Sequence, residues 1–294
     1  MKVSQNRYVY FGIGFLGLLA CSEPEVENVN LPEACGSSVE DGADCEMSYD
    51  DSTYDWIQFH SVEQLELACE EKCSRMGEFG FYGLDGLQEL TGFDFVVETP
   101  GGSFSIHDAV RIDAFHQVSA VSGLTFEDNF SLEDIEPFAS LEEVESGVSF
   151  RGNPKLKDLR ALQNVRQIGT QGGPVSQGLT LERNGSLTTM KGLERLEIIY
   201  GRLRLIDQVS IESMVGLESL QEVDYLVITN PEDPNTQVEL DSLAGLENLQ
   251  RIHKTFTIEN APNLRRCEAE ALVAQLEEPP EEVILVNLSD EPCD

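Results

Sequence analysis

From Leu124 onward the apolar positions keep one recurring order. Two alternating apolar residues come first, a polar turn follows, and then apolar residues fall at every third position. The first copy reads Leu124, Phe126, Leu132, Ile135, Phe138, Leu141 and Val144. The next reads Val148, Phe150, Leu156, Leu159, Leu162, Val165 and Ile168. Three further copies begin at Leu179, Leu203 and Leu226, and a partial one (Phe256, Ile258, Leu264) closes the series. A marker residue recurs at Leu132, Leu156, Leu187, Ile211, Leu240 and Leu264, giving steps of 24, 31, 24, 29 and 24 residues. The base period is therefore 24, and the long steps carry insertions, Gly169 to Gly178 and Asn230 to Val238.

The alternating pair predicts a short strand with one face inward, and the three-residue spacing predicts a tight, partly helical return. One copy cannot bury its apolar side alone, so neighbouring copies must stack. Asn129, Asn153 and Asn184 fall three residues after the strand, where inward amides can satisfy buried turn backbone. Gln208 replaces the asparagine once, and Asn230 and Asn260 come one residue early, so an imperfect ladder is expected. Upstream, Phe79 with Phe81 and Phe93 with Phe95 suggest two earlier strands, and Ile106, Ala109, Ile112, Phe115 and Val118 repeat the three-residue spacing. Ser61 followed by Gln64 carries a capping-box signature for a helix closed by Cys69 and Cys73. A helix from Cys267 to Glu277, then Pro279-Pro280, then a strand from Val283 to Val286, forms a plausible C-terminal cap.

This pattern resembles leucine-rich repeats, and more closely the receptor L domain of insulin and epidermal growth factor receptor ectodomains. The phrases that carry the likeness are Phe150-Arg151-Gly152-Asn153-Pro154-Lys155-Leu156 and the steps Gly192-Leu193, Gly216-Leu217 and Gly245-Leu246. It covers about residues 60 to 290. The resemblance implies a strand-rich α/β repeat solenoid, a right-handed stack of about 24-residue turns with end caps. The chain departs from those receptors in lacking their cysteine-rich modules, a spanning helix and a kinase. Such folds host many binding roles, so the likeness specifies architecture rather than ligand.

The start of the chain reads as a targeting segment. Lys2 and Arg7 precede an uncharged apolar run, Tyr8 to Leu19, too short to span a membrane and fitting a signal-peptide core. It ends in Leu18-Leu19-Ala20-Cys21, which resembles the lipobox of bacterial lipoproteins. That resemblance implies cleavage before Cys21 and lipidation of it. The membrane then becomes a partner through the anchor, and the location is the cell envelope, at the outer-membrane surface or its periplasmic face. Ser22, rather than aspartate, favours the outer membrane. The expected division is a signal peptide over 1–20, an acidic tether over 21–54 and the repeat body over 55–294. Six cysteines remain: Cys35, Cys45, Cys69, Cys73, Cys267 and Cys293. An even set in an exported chain reads as disulfides, with Cys267 placed to join Cys293. The pairing of the other four stays open, Cys35–Cys45 with Cys69–Cys73 being marginally preferred.

The formal charge is −35, and loss of Lys2 and Arg7 takes it to −37. Such a balance repels nucleic acid and keeps the chain soluble. No histidine stands in a metal-ligand pattern, and Pro174-Val175-Ser176-Gln177-Gly178 lacks the first glycine of a nucleophile elbow. The sequence thus predicts no catalytic residue, no metal and no cofactor. The outer strand face is the one surface that stands out. Glu127, Arg151 and Glu182 should form a charge ladder, and Arg151, Arg202 and Arg204 should gather with Tyr225 beside them and Ile206 and Val227 adding apolar contact. The expected role is a non-enzymatic recognition or adhesion module that binds a protein or glycan there. A structural envelope protein without a specific ligand is the alternative.

Overall fold

The computed structural model describes residues 109–207, 210–229 and 238–293 in full, and upstream of these mainly the course of the strands. Residues 1–42, Cys45, the Ser61 helix with Cys69, and insertion residues 230–237 lie outside the described residues. So do the expected signal peptide, Cys21 and Cys35.

The strands are β1 (Ala43–Asp44), β2 (Trp56–Phe59), β3 (Cys73–Arg75), β4 (Glu78–Phe81), β5 (Glu89–Gly92), β6 (Glu98–His107), β7 (Arg111–Ala114) and β8 (Ala120–Glu127). They continue with β9 (Glu143–Arg151), β10 (Gln167–Ile168), β11 (Gly178–Glu182), β12 (Ile198–Ile206), β13 (Glu222–Thr229), β14 (Arg251–Glu259) and β15 (Glu282–Val286). Among the described residues one α-helix, α1, spans Arg266–Gln275. Thirteen strands form one sheet and β5 pairs with β7 apart from it. From β8 to β15 the pairing is parallel and follows chain order. One early expectation shifts. Cys73 opens a strand rather than closing a helix, and a strand runs over Glu89–Gly92, while Phe93 and Phe95 lie outside the described residues.

Parallel neighbours need a covered crossover, and the three-residue spacing supplies it. Each return is a run of tight turns, with 3-10 helix at Glu136–Ser140 and Arg160–Leu162. Every apolar position of the repeat copies is buried, the most exposed being Leu243 of the fifth copy at 6 %. Phe126 stacks on Phe150 with centroids 5.2 Å apart, so the aromatic end of the core also runs from copy to copy.

The asparagine ladder forms. Asn129 Nδ2 donates to Asn153 Oδ1 at 2.9 Å and to the Ile106 carbonyl at 3.0 Å. Asn153 Nδ2 donates to Asn184 Oδ1 at 3.2 Å and to the Phe126 carbonyl at 3.1 Å. All three side chains are fully buried. Asn260 does not join them. It occupies the preceding column, where Asp128, Gly152, Arg183, Asp207, Asn260 and Asn287 all have left-handed φ between 48 and 65°. Asparagine and aspartate tolerate that conformation, which explains the offset. Buried Ala261 stands at the ladder position instead, and Asn260 accepts from Asn287 at 2.7 Å.

The Gly-Leu steps serve a further purpose. The N–H groups of Gly192, Gly216 and Gly245 donate to the carboxylates of Glu194, Glu218 and Glu247 at 2.9–3.0 Å. Gly216 has φ +110°, and a Cβ there would sit 2.2 Å from the Met190 carbonyl of the previous copy. The unit is thus Gly-Leu-Glu.

Helix α1 covers the last full copy. Glu268 accepts from the Leu243 N–H at 2.7 Å, and Gln275 donates to the carbonyls of Leu246 and Leu249. Cys267 and Cys293 are joined, with Cα atoms 6.0 Å apart, and the bond ties α1 to the segment after β15. A closed loop of 26 residues contributes roughly 3 kcal/mol in the chain-entropy model. Cys267→Ser should therefore lower the melting temperature by several degrees, roughly 2–4 °C per kcal/mol. Reduction of the parent should reproduce the loss, and an unchanged melt would mean the bridge contributes nothing to the cap.

Candidate functional site

The outer face of the sheet is built from three columns set by the register. The middle column is Thr125, Ser149, Thr180, Arg204 and Val227, each paired with the next across β8, β9, β11, β12 and β13. One column towards the strand starts it is Gly123, Gly147, Gly178, Arg202 and Tyr225. One towards the ends it is Glu127, Arg151, Glu182, Ile206 and Thr229.

Between the first and second halves of these strands the ladder shifts register, for instance between Val223 and Tyr225. A bulge adds residues to one strand without ending its pairing. The third copy places its insertion at this point. β10 and β11 both lie between β9 and β12, so residues 169–177 leave the sheet at the bulge and re-enter at Gly178. Gln177 anchors the re-entry. Its side-chain oxygen accepts from the Thr170 N–H at 3.1 Å, and its carbonyl accepts from the Arg202 N–H at 2.9 Å. Ser176 stands exposed in this loop, and a strand follows, not the helix a nucleophile elbow requires.

The expected residues do meet. The Arg202 guanidinium lies over the Tyr225 ring, 5.4 Å from its centroid. Burial pushes the Arg204 guanidinium below its ordinary pKa, and the nearby positive charges of Arg202 and Arg151 add to this, with Glu182 opposing. Arg151 stands in the expected charge ladder, with Nε 3.6 Å from Glu182, a carboxylate that Arg183 holds more closely. One expectation changes. Ile206 is only 8 % exposed, so it belongs to the packed sheet and offers little contact surface.

Arg202 and Arg204 also differ from the other arginines in their partners. Eight of the eleven fully described arginines reach a carboxylate within 4.0 Å. Arg195 instead donates to Asn164 at 2.9 Å. Among the described residues, Arg202 and Arg204 reach no carboxylate, although the chain carries 54 acids against 19 lysines and arginines. The glycine column is the feature sequence reading missed, although a glycine two residues before each of Thr125, Ser149 and Thr180 was there to find.

Elsewhere the polar chemistry is structural. Burial alone would raise the Glu222 carboxyl, but hydrogen bonds from Arg251 and His253 hold it below its ordinary value. A cleft of about 710 Å³ on the return side is lined by Arg111, Asp113, His116, Glu133, Asp134 and Glu136 among others. Asp113 there pairs with Arg111, and Glu133 with Lys157, so two of its four acidic residues are matched within the chain. Among the described residues no group of three His, Cys, Asp or Glu is placed to hold a metal ion, and no helix is long and apolar enough to cross a membrane. Comparison with known proteins finds no family model, no curated protein and no solved structure that matches this chain.

Proposed function

We propose that the protein is a lipid-anchored cell-surface recognition module without enzymatic activity, which binds a protein or glycan through the strand face around Arg202 and Arg204. The observation that carries this reading is the pair of guanidinium groups without carboxylate partners on a strongly acidic chain. Such groups are exposed to a ligand at little cost, since no existing ion pair must break first. Their backbone is a parallel ladder rather than a loop, so they are held rigidly. In this reading the 24-residue copies coil as a right-handed leucine-rich solenoid like the receptor L domain. The in-order parallel pairing and the buried asparagine ladder support it.

The test is a binding assay of the full chain on envelope or partner-cell surfaces. The Arg202→Ala/Arg204→Ala double variant should bind at least about tenfold more weakly. Lys191→Ala on the return side should bind like the parent. Added salt should weaken the parent, because exposed guanidinium contacts are screened. Binding that ignores both the double substitution and salt would reduce the arginines to a stabilised sheet face.

The anchor is a separate part of the proposal, supported by the Leu18-Leu19-Ala20-Cys21 motif. Cys21→Ser should release the protein from the membrane fraction or leave it uncut. A variant that fractionates and migrates like the parent would remove the anchor from the account.

A further inference from the structure

We infer that the strip running into Arg204 takes a carboxylated polysaccharide lying across the strands, its acid groups held by Arg202 and Arg204. This rests on the strand-face reading above and narrows its ligand to one class.

The register places Thr125, Ser149, Thr180 and Arg204 side by side on four successive strands. Adjacent strands lie about 4.8 Å apart, so the row sets Thr125, Thr180 and Arg204 at fixed steps across the sheet. All four side chains are half-buried on the outer face. Hydroxyls both donate and accept, which matches the hydroxyls of a sugar chain. Ser149 Oγ is itself covered by its neighbours, so contact along the row falls to Thr125, Thr180 and Arg204.

The neighbouring column adds no side chains beside that row. Gly123, Gly147 and Gly178 occupy it, with Gly123 and Gly178 buried, and the column leads in register to Arg202 and Tyr225. Glycine at 178 is forced by the bulge, since its φ is +115° and a Cβ would sit 2.2 Å from the Arg202 carbonyl. The insertion 169–177 re-enters at this same glycine and bounds the strip there.

The arginines set the charge of the ligand. A guanidinium presents a planar fork that matches a carboxylate with two parallel hydrogen bonds. Tyr225 limits where the Arg202 fork can go. The surroundings set its width. Glu127 and Glu182 edge the strip on one side, and Glu222 and Asp224 stand on β13 beyond Arg202. A protein partner covers about 800 Å² and would lie over these carboxylates as well, so an acidic one meets repulsion. A chain one sugar wide touches the row alone.

The test is fluorescence anisotropy with the full chain and four labelled probes: oligogalacturonate, the same oligosaccharide with its carboxyls reduced, poly-glutamate and oligothymidylate. Oligogalacturonate should bind best. Carboxyl reduction, or the Arg202→Ala/Arg204→Ala change, should each weaken it about tenfold or more. Thr180→Val, which removes a hydroxyl but keeps the shape, should weaken the uronate severalfold and leave residual poly-glutamate binding unchanged. Melting curves identical to the parent would show that each variant is folded. The inference is overturned if poly-glutamate or oligothymidylate binds as well as the uronate, if Thr180→Val has no effect, or if the uronate does not bind. The two readings separate cleanly. If the envelope ligand depends on the arginines but the uronate does not bind, strand-face recognition stands and the polysaccharide falls.

Discussion

Leu217→Asp should unfold the centre of the molecule. Leu217 is fully buried, as are Leu162 and Leu193 in the copies before it, and Leu246 in the next is 1 % exposed. A carboxylate there would lie within the apolar core cluster, and none of the repeat leucines can pair with it. An uncompensated buried charge costs on the order of 4–5 kcal/mol, a large share of the stability of an ordinary domain. The damage should spread, because each copy is held mainly by the next. Amide exchange in β12, β13 and β14 should therefore accelerate together, and Leu193→Asp should behave alike. A variant that melts with the parent would mean these leucines do not face a shared core.

The second large effect is expected at Asn153. Its side chain accepts from the Asn129 N–H and Nδ2, and donates to the Phe126 carbonyl and to Asn184. Asn153→Leu keeps the size but leaves the Asn129 donors and the Phe126 acceptor without this partner in a buried interior. Each stranded group costs about 1–3 kcal/mol, so the total should reach roughly 3 kcal/mol. Denaturant unfolding should show a lower midpoint with an unchanged slope. Asn248→Ala is the control, since that exposed amide makes one surface bond to the Glu218 carbonyl and should cost only about 0.5 kcal/mol. Equal losses at the two positions would mean the ladder is not what satisfies the turns.

The reasons why some features could be read in the sequence and others could not are physical. Burial is periodic, so Leu132 to Leu264 announced the copies and their inward positions without any structure. The cap was equally visible, because Cys267, Pro279-Pro280 and Cys293 punctuate it. The bulge was hidden, since the extra residue between Ile252 and Thr255, opposite Val223 and Tyr225, changes no apolar count. Its trace was the glycine column, which reads as ordinary loop glycine until the close approach at Gly178 is seen. Asn260 misled because asparagine suits both an inward amide ladder and a left-handed turn, and only φ separates the two. Ile206 misled because alternation places it outward, whereas packing at the end of β12 covers it. At the candidate site, neighbouring positions on neighbouring turns predicted that Arg202, Arg204 and Tyr225 would meet. The Arg151–Glu182 step followed from the same register, whereas the hold of Arg183 on Glu182 depended on side-chain reach that spacing does not encode.

The central claim is that equivalent positions of successive copies lie one strand spacing apart on a single face. Spin labels on non-cysteine handles at positions 125 and 284 measure it directly. These positions stand in the same column, joined through Ser149, Thr180, Arg204, Val227 and Thr257. Six spacings of about 4.8 Å predict a separation of about 29 Å between the two backbones, in one narrow distribution. A broad distribution, or one centred far beyond that distance, would contradict the ladder and the binding strip built on it.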